Sequence, residues 1–268
     1  MSKNIKLIEV NSEIGAGTRG ASMGIDAIKV AAMDFGSNYF RKHKSLRIQT
    51  ENKLLFERIK HDYARRIKGV YTVCERVKKA VKRTLDNGSF FPIVLSGDHS
   101  TSIGSIAGIR SAFPNKRLGV IWIDAHADIH SPYTTPSGNL HGMPIAAIVG
   151  EDNLEKQINE PDEETIEYWD NLKNLGGELP MIDYKDLVYI GVRDTEKEED
   201  WSLVTISSTT TFPSCVANTS FLRRAQSSCL SKKREAPRET IATIMLPPSQ
   251  DRARIFSDEL PVLNPSFW

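Results

Sequence analysis

Leu118-Gly-Val-Ile-Trp-Ile-Asp-Ala-His-Ala-Asp128 is the stretch on which the fold turns. Its first six residues carry no polar side chain at alternate positions, the pattern of a strand buried on both faces. The run then breaks into acidic and imidazole groups. Two other segments behave alike. Phe90-Phe-Pro-Ile-Val-Leu95 leads into Ser96-Gly-Asp-His-Ser100, and Asp186-Leu-Val-Tyr-Ile-Gly191 delivers Arg193 and Asp194. Residues 6–10 form a fourth, short strand candidate.

Helical patterns lie between these runs. Ile67, Val70, Cys74, Val77, Val81 and Leu85 step by three or four and mark one buried helical face, which Asp86-Asn87-Gly88 terminates. The lysines and arginines between them form its solvated side. Residues 101–112 are a second helix. Apolar strands alternating with helices predict an α/β fold of three layers, a parallel sheet with helices on both faces. In such sheets chemistry gathers beyond the carboxyl ends of the strands, where the polar clusters of this chain fall. The loop Glu13-Ile-Gly-Ala-Gly-Thr-Arg-Gly20 lacks the spacing of a phosphate cradle and reads as a rim loop.

Composition narrows the classes. The 268 residues are 40% hydrophobic and 26% charged with a formal net charge of +1, which fits a domain with a real core. Basic residues are scattered, so no nucleic-acid or membrane partner is expected. The N-terminal residues lack a signal-peptide apolar segment and no transmembrane-length run occurs, so the expected location is cytoplasmic. The three cysteines, Cys74, Cys215 and Cys229, form no C-x-x-C pair, which suits a reducing compartment.

Asp124, His126 and Asp128 recur at spacing two, and in extended backbone they share one face. A second strand end offers His99. Two histidines and two carboxylates from neighbouring strands favour a divalent ion such as manganese, zinc or iron(II) over copper(I) or a cluster. The blander alternative is that the aspartates cap the following segment and the histidines are satisfied by hydrogen bonds. His141, in a glycine-containing loop, reads on its own as either catalytic or merely exposed.

Ser96-Gly-Asp-His-Ser100, Asp124-Ala-His-Ala-Asp128 and Ser137-Gly-Asn-Leu-His-Gly-Met-Pro144, in that order, resemble three successive signatures of the ureohydrolases, the arginase and agmatinase superfamily. The stretch from Thr134 to His141, with Ile190-Gly-Val-Arg-Asp194, is more similar to arginase than to agmatinase. The resemblance covers residues 1–200. It implies that His99, Asp124 and Asp128 bind one Mn2+ ion and that Asp124 and His126 serve a second. Together the two ions activate water against a guanidinium carbon. It further implies that His141 shuttles a proton, a task suited to imidazole. Ser137, Asn139 and position 130 match sites that recognise a substrate α-carboxylate, and Asp194, Glu196 and Glu199 fall where acids meet the α-ammonium group. Two departures stand out. His130 occupies a position where arginases commonly carry Asn, and Glu196 one where aspartate is more usual.

Beyond residue 200 the resemblance stops. The family's later Asp-x-Asp strand and guanidinium-binding glutamate have no counterpart. Between 201 and 231, 13 of 31 residues are Ser or Thr, and no aspartate occurs between 201 and 250. Residues 201–268 hold 8 Lys/Arg against 5 Asp/Glu, whereas residues 1–200 hold 27 against 29. A shifted reading frame or an alternative exon produces such a switch; a divergent C-terminal domain is the competing reading. On the first, residues 201–268 are a disordered tail and the sheet ends in an unpaired edge. The functional expectation is hydrolysis of L-arginine to ornithine and urea, impaired in this chain, against two rivals: another guanidino or formimino substrate such as agmatine, or a non-catalytic metal-binding product. The resemblance also implies a homo-oligomer, whose interfaces the altered tail would affect.

Overall fold

A computed structural model describes residues 4–177, 179–193, 195, 196 and 199, together with the backbone of 240–244. The chain runs β1 (Asn4–Val10), α1 (Gly24–Asp34), α2 (Tyr39–Lys42), β2 (Ser45–Arg47), α3 (Ile67–Asp86), β3 (Phe90–Ser96), α4 (Ser102–Ala112), β4 (Gly119–Ile123), α5 (Pro144–Val149), α6 (Glu163–Lys173), β5 (Leu187–Ile190) and β6 (Thr240–Ile244). The strands and the two helices read from hydrophobic pattern lie where expected, within a residue or two at their ends.

Among the described residues all strand pairs are parallel, and they fall in two three-stranded groups in the orders β2-β1-β3 and β5-β4-β6. The central strands β1 and β4 are the more deeply buried strands of their groups. Leu7, Ile8, Val10, Val120 and Trp122 are all buried. Helices cover them because a parallel connection needs a crossover long enough to hold one.

The expectation of an unpaired sheet edge needs correction beside β4. Thr240–Ile244 runs parallel to β4, with Gly119 opposite Thr240 and Ile123 opposite Ile244. Thr-Ile-Ala-Thr-Ile has β-branched residues at four of five positions, and these favour strand backbone. Composition averaged over the whole tail conceals that short run. The other residues beyond 199 lie outside those described.

The helix that follows β3 is held unusually close to its neighbour. A methyl on Gly104 of α4 would stand 2.4 Å from the Cys74 carbonyl oxygen and 2.8 Å from the Cys74 Cα. One turn on, a methyl on Gly108 would meet the Lys78 carbonyl oxygen at 2.9 Å. Both clashes are with backbone, so only a shift of the helices relieves them. Nearly every residue of α4 from Ser102 to Ile109 is buried as a result, and α4 fixes the position of His99 just before it. Among the described residues no helix is long and apolar enough to cross a membrane.

Gly104→Ala gains about 1 kcal/mol in helix propensity but overpacks the α3–α4 contact, at a cost of about 1–3 kcal/mol. The net expectation is a lowered Tm in thermal unfolding. Gly24→Ala, where a methyl meets nothing within 4 Å, should be neutral or slightly stabilising. Equal effects of the two would contradict the close helix contact.

Candidate metal centre

The polar cluster after β4 is built by leaving the β conformation. Regular strand ends at Ile123. The Asp124 carboxylate then accepts the His126 backbone N–H at 3.1 Å, a local turn that only a short acidic or amide side chain makes readily. Four residues on, Asp128 takes a left-handed backbone with φ 51°, a conformation uncommon outside glycine and most tolerated by Asn and Asp. Extended backbone would have put Asp124, His126 and Asp128 on one face, and this segment is not extended. Asp124 and Asp128 turn inward, while the His126 side chain is 63% exposed, its Nδ1 3.7 Å from Asp124 Oδ1.

The distorted segment is tied on several sides. Asp124 N–H donates to the Ile190 carbonyl at 3.1 Å and Arg193 N–H to the Ala125 carbonyl at 2.9 Å, extending the β4–β5 pairing past the strand ends. The buried Tyr189 hydroxyl donates to the Ala127 carbonyl at 2.7 Å. The Asp128 carbonyl accepts from Ile145 N–H at 2.9 Å, anchoring the loop to α5.

His99 arrives from the end of β3, its ring edge-on to Trp122 at 5.7 Å. Its Nδ1 lies 2.7 Å from Asp128 Oδ2 and 2.9 Å from Asp124 Oδ2. The hydrogen bond goes to Asp128. Asp124 Oδ2 is buried and makes no well-formed hydrogen bond, so of its surroundings the His99 ring at 2.9 Å is what faces its charge. His99, Asp124 and Asp128 are the described residues whose ligand atoms converge, all within 4.8 Å of one another. Burial alone would lower the His99 pKa. The hydrogen bonds and charges of the two aspartates outweigh it and raise the imidazole to about 10. Burial pushes the Asp128 carboxyl above its usual range, with His99 opposing, whereas the His99 contact holds Asp124 below it despite burial. Two buried carboxylates beside one nitrogen need a cation between them, and a divalent ion on one N and two O donors meets that need.

The other expected site residues distribute around this centre. The His141 ring nitrogen Nδ1 sits 3.0 Å from the Gly15 carbonyl. The loop Glu13–Gly20 is thus a rim of the site. Ser137 is exposed, its hydroxyl accepting from Asn139 N–H at 3.2 Å. Buried His130 turns Nδ1 to the Thr134 hydroxyl at 3.2 Å. Its Nε2, which lacks a hydrogen-bond partner, lies 3.4 Å from Glu196 Oε2 and 3.8 Å from Glu199 Oε1. Glu199 is buried and accepts the Glu196 N–H at 3.1 Å. Asp194 lies outside the described residues. Asp98 and Gly15 went unread in the sequence, although Asp98 stands inside a quoted motif beside a ligand candidate.

A sequence profile of the Arginase family matches residues 3–221. The chain belongs to the arginase family. An arginase from Bacillus caldovelox is 34% identical over 209 residues, covering 74% of this chain and 60% of that protein. Arginase-1 of Homo sapiens is 41% identical over 132 residues, or 49% of this chain and 36% of the human one. The solved Bacillus caldovelox arginase shares the fold with a TM-score of 0.59 at 30% identity, over 76% of this chain and 63% of that one. The chain therefore spans about 60% of the length of the bacterial relative.

Tyr189→Phe keeps the ring and deletes the hydroxyl that the Ala127 carbonyl accepts. An unpaired buried carbonyl costs about 1–3 kcal/mol, so a reduced Tm and manganese binding weakened severalfold are expected from thermal melts and titration calorimetry. Unchanged manganese affinity would show that the segment holds its shape without Tyr189.

Proposed function

We propose that the chain binds a divalent cation, manganese in preference, through His99, Asp124 and Asp128, and that it carries the metal- and guanidino-binding part of an arginase-type hydrolytic site. The observation that carries this reading is the convergence of the His99, Asp124 and Asp128 ligand atoms within 4.8 Å of one another, with both carboxylates buried. His126 and the outer oxygen of Asp124 are the groups offered to a second ion. Bound ions supply Lewis acidity that lowers the pKa of water and polarises a guanidinium.

The remaining residues bind and move protons. A carbonyl can only accept, so the contact with Gly15 places a proton on His141 Nδ1 and makes Nε2 the atom that exchanges one with the reacting group. Ser137 and Asn139 provide neutral donors for a substrate carboxylate, and Glu196 and Glu199 provide charge for an ammonium group. We place Asp194 with those two acids from its sequence position.

His130 supports a second reading. Its Nε2 lies 3.4 Å from Glu196 and 3.8 Å from Glu199, so the ring crowds the acids that would hold an α-ammonium group. A guanidino or formimino substrate other than arginine, such as agmatine, then becomes the competing choice. Activity should be weak in either case. Three ligand groups converge among the described residues, and no aspartate between 201 and 250 is available to complete a second ion's shell. A homo-oligomeric, cytoplasmic protein is part of the same proposal.

Metal analysis after dialysis, paired with a urea assay across arginine, agmatine and other guanidino compounds, tests this reading. The expectation is about one retained manganese per chain, its loss in Asp124→Ala, and urea release near background. Two firmly held ions with brisk manganese-dependent urea release would overturn the impaired-site reading; manganese binding unaffected by Asp124→Ala would overturn the site itself.

A further inference from the structure

Asp98 sits between the strand end and His99, buried, with its two oxygens directed to different tasks. Oδ1 accepts the Ser100 N–H at 2.9 Å and the Ser100 hydroxyl, an ordinary cap of the short turn at His99–Thr101. Oδ2 is not needed there. It accepts the Gly15 N–H at 3.2 Å, across 83 residues of sequence. Gly15 in turn offers its carbonyl to His141 twice, to the backbone N–H at 3.0 Å and to the ring Nδ1 at 3.0 Å.

This approach requires glycine at position 15. A methyl there would stand 2.5 Å from Ser100 Oγ and 2.7 Å from Asp98 Oδ1. The rest of the loop is braced independently. The buried Glu13 carboxylate accepts the Gly20 and Ser22 N–H groups at 2.8 and 2.9 Å, and Ala16 N–H donates to the Glu13 carbonyl at 3.2 Å. The Gly15 carbonyl is therefore a fixed acceptor rather than a mobile one.

We infer that Asp98, acting through the Gly15 backbone, is a positioning residue that locks His141 in the Nδ1–H tautomer. A neutral imidazole has one donor and one acceptor nitrogen, and the partner of one decides the state of the other. With the proton held on Nδ1 by Gly15, Nε2 is left as the ring's acceptor. Asp98 touches neither substrate nor reacting atoms. Its effect passes through one residue, from the Gly15 N–H across the Cα to the Gly15 carbonyl, and it thereby links the histidine that offers a metal ligand to the histidine that handles a proton. The inference rests on the proposed role of His141, but the tautomer itself is independent of that role.

Long-range 1H–15N spectra of the full chain labelled in its six histidines, recorded about two units above the ordinary imidazole pKa of ~6.5, report that tautomer directly. His141→Gln identifies the signal. The expectation is a dominant Nδ1–H form. In Asp98→Asn, whose amide group cannot accept from both Gly15 and Ser100, the tautomer ratio should shift roughly fivefold toward Nε2–H, the equilibrium worth of one ordinary hydrogen bond. Ser100→Ala, which removes the local hydroxyl and keeps the Gly15 tie, should leave the ratio in place. If Asp98→Asn does not fold, Asp98→Glu displaces the same carboxylate by one methylene and should give the same shift. An Nε2–H form in the unsubstituted chain, no shift on changing Asp98, or an equal shift in Ser100→Ala would each overturn the inference. Brisk manganese-dependent urea release would count against the functional reading alone, since the tautomer is read without turnover.

Discussion

Asp124 and Asp128 face one imidazole because the chain between them abandons the strand, and that departure is held against its own cost. A left-handed φ of 51° at Asp128 is a strained choice for a residue with a Cβ. It persists because bonds from Tyr189, Ile190, Arg193 and Ile145 fix the backbone on both sides. Bringing two carboxylates into a buried cluster adds like-charge repulsion and desolvation. His99 offsets part of this as a cation, which is why its proton is held so firmly. A divalent ion does the same with twice the charge. Backbone strain, carboxylate burial and cation demand are thus one linked problem, solved at the end of β4.

The helices set the accuracy of that solution. His99 precedes α4 by three residues, and α4 lies so close to α3 that Gly104 and Gly108 have no room for a side chain. Rigid packing of this kind limits how far the imidazole can drift from the aspartates on the neighbouring sheet. The loop bearing His141 is tied to the same turn through Gly15 and Asp98. Ligand donors and proton-handling group consequently share one scaffold, joined through Gly15, which lies 83 residues from Asp98 and 126 from His141.

Much of this was legible in the sequence where a pattern repeats. The 67–85 periodicity located α3, and apolar runs ending in polar motifs located β3, β4 and β5. Residue types and spacing also picked out His99, Asp124 and Asp128, whose ligand-capable atoms converge. Spacing misled at His126, because the argument assumed extended backbone through Asp128 and the local Asp124 turn breaks it. The strand at Thr240–Ile244 escaped notice inside a Ser/Thr-rich tail, since five β-branched-rich residues weigh little in a long compositional window. Asp98 and Gly15 were invisible for another reason: their partners lie 83 and 126 residues away, and no local pattern encodes a contact of that range. The pairing of His130 with Glu196 and Glu199 is equally non-local.

The central claim is that His99, Asp124 and Asp128 form a preorganised cation site. Crystals grown with manganese, measured on both sides of the manganese absorption edge, would locate the ion without reference to activity. The account predicts a strong anomalous peak bounded by the His99 imidazole and one oxygen each of Asp124 and Asp128, with any second peak weaker and beside His126. A peak held by His126 without His99, or none between the three groups, would contradict it.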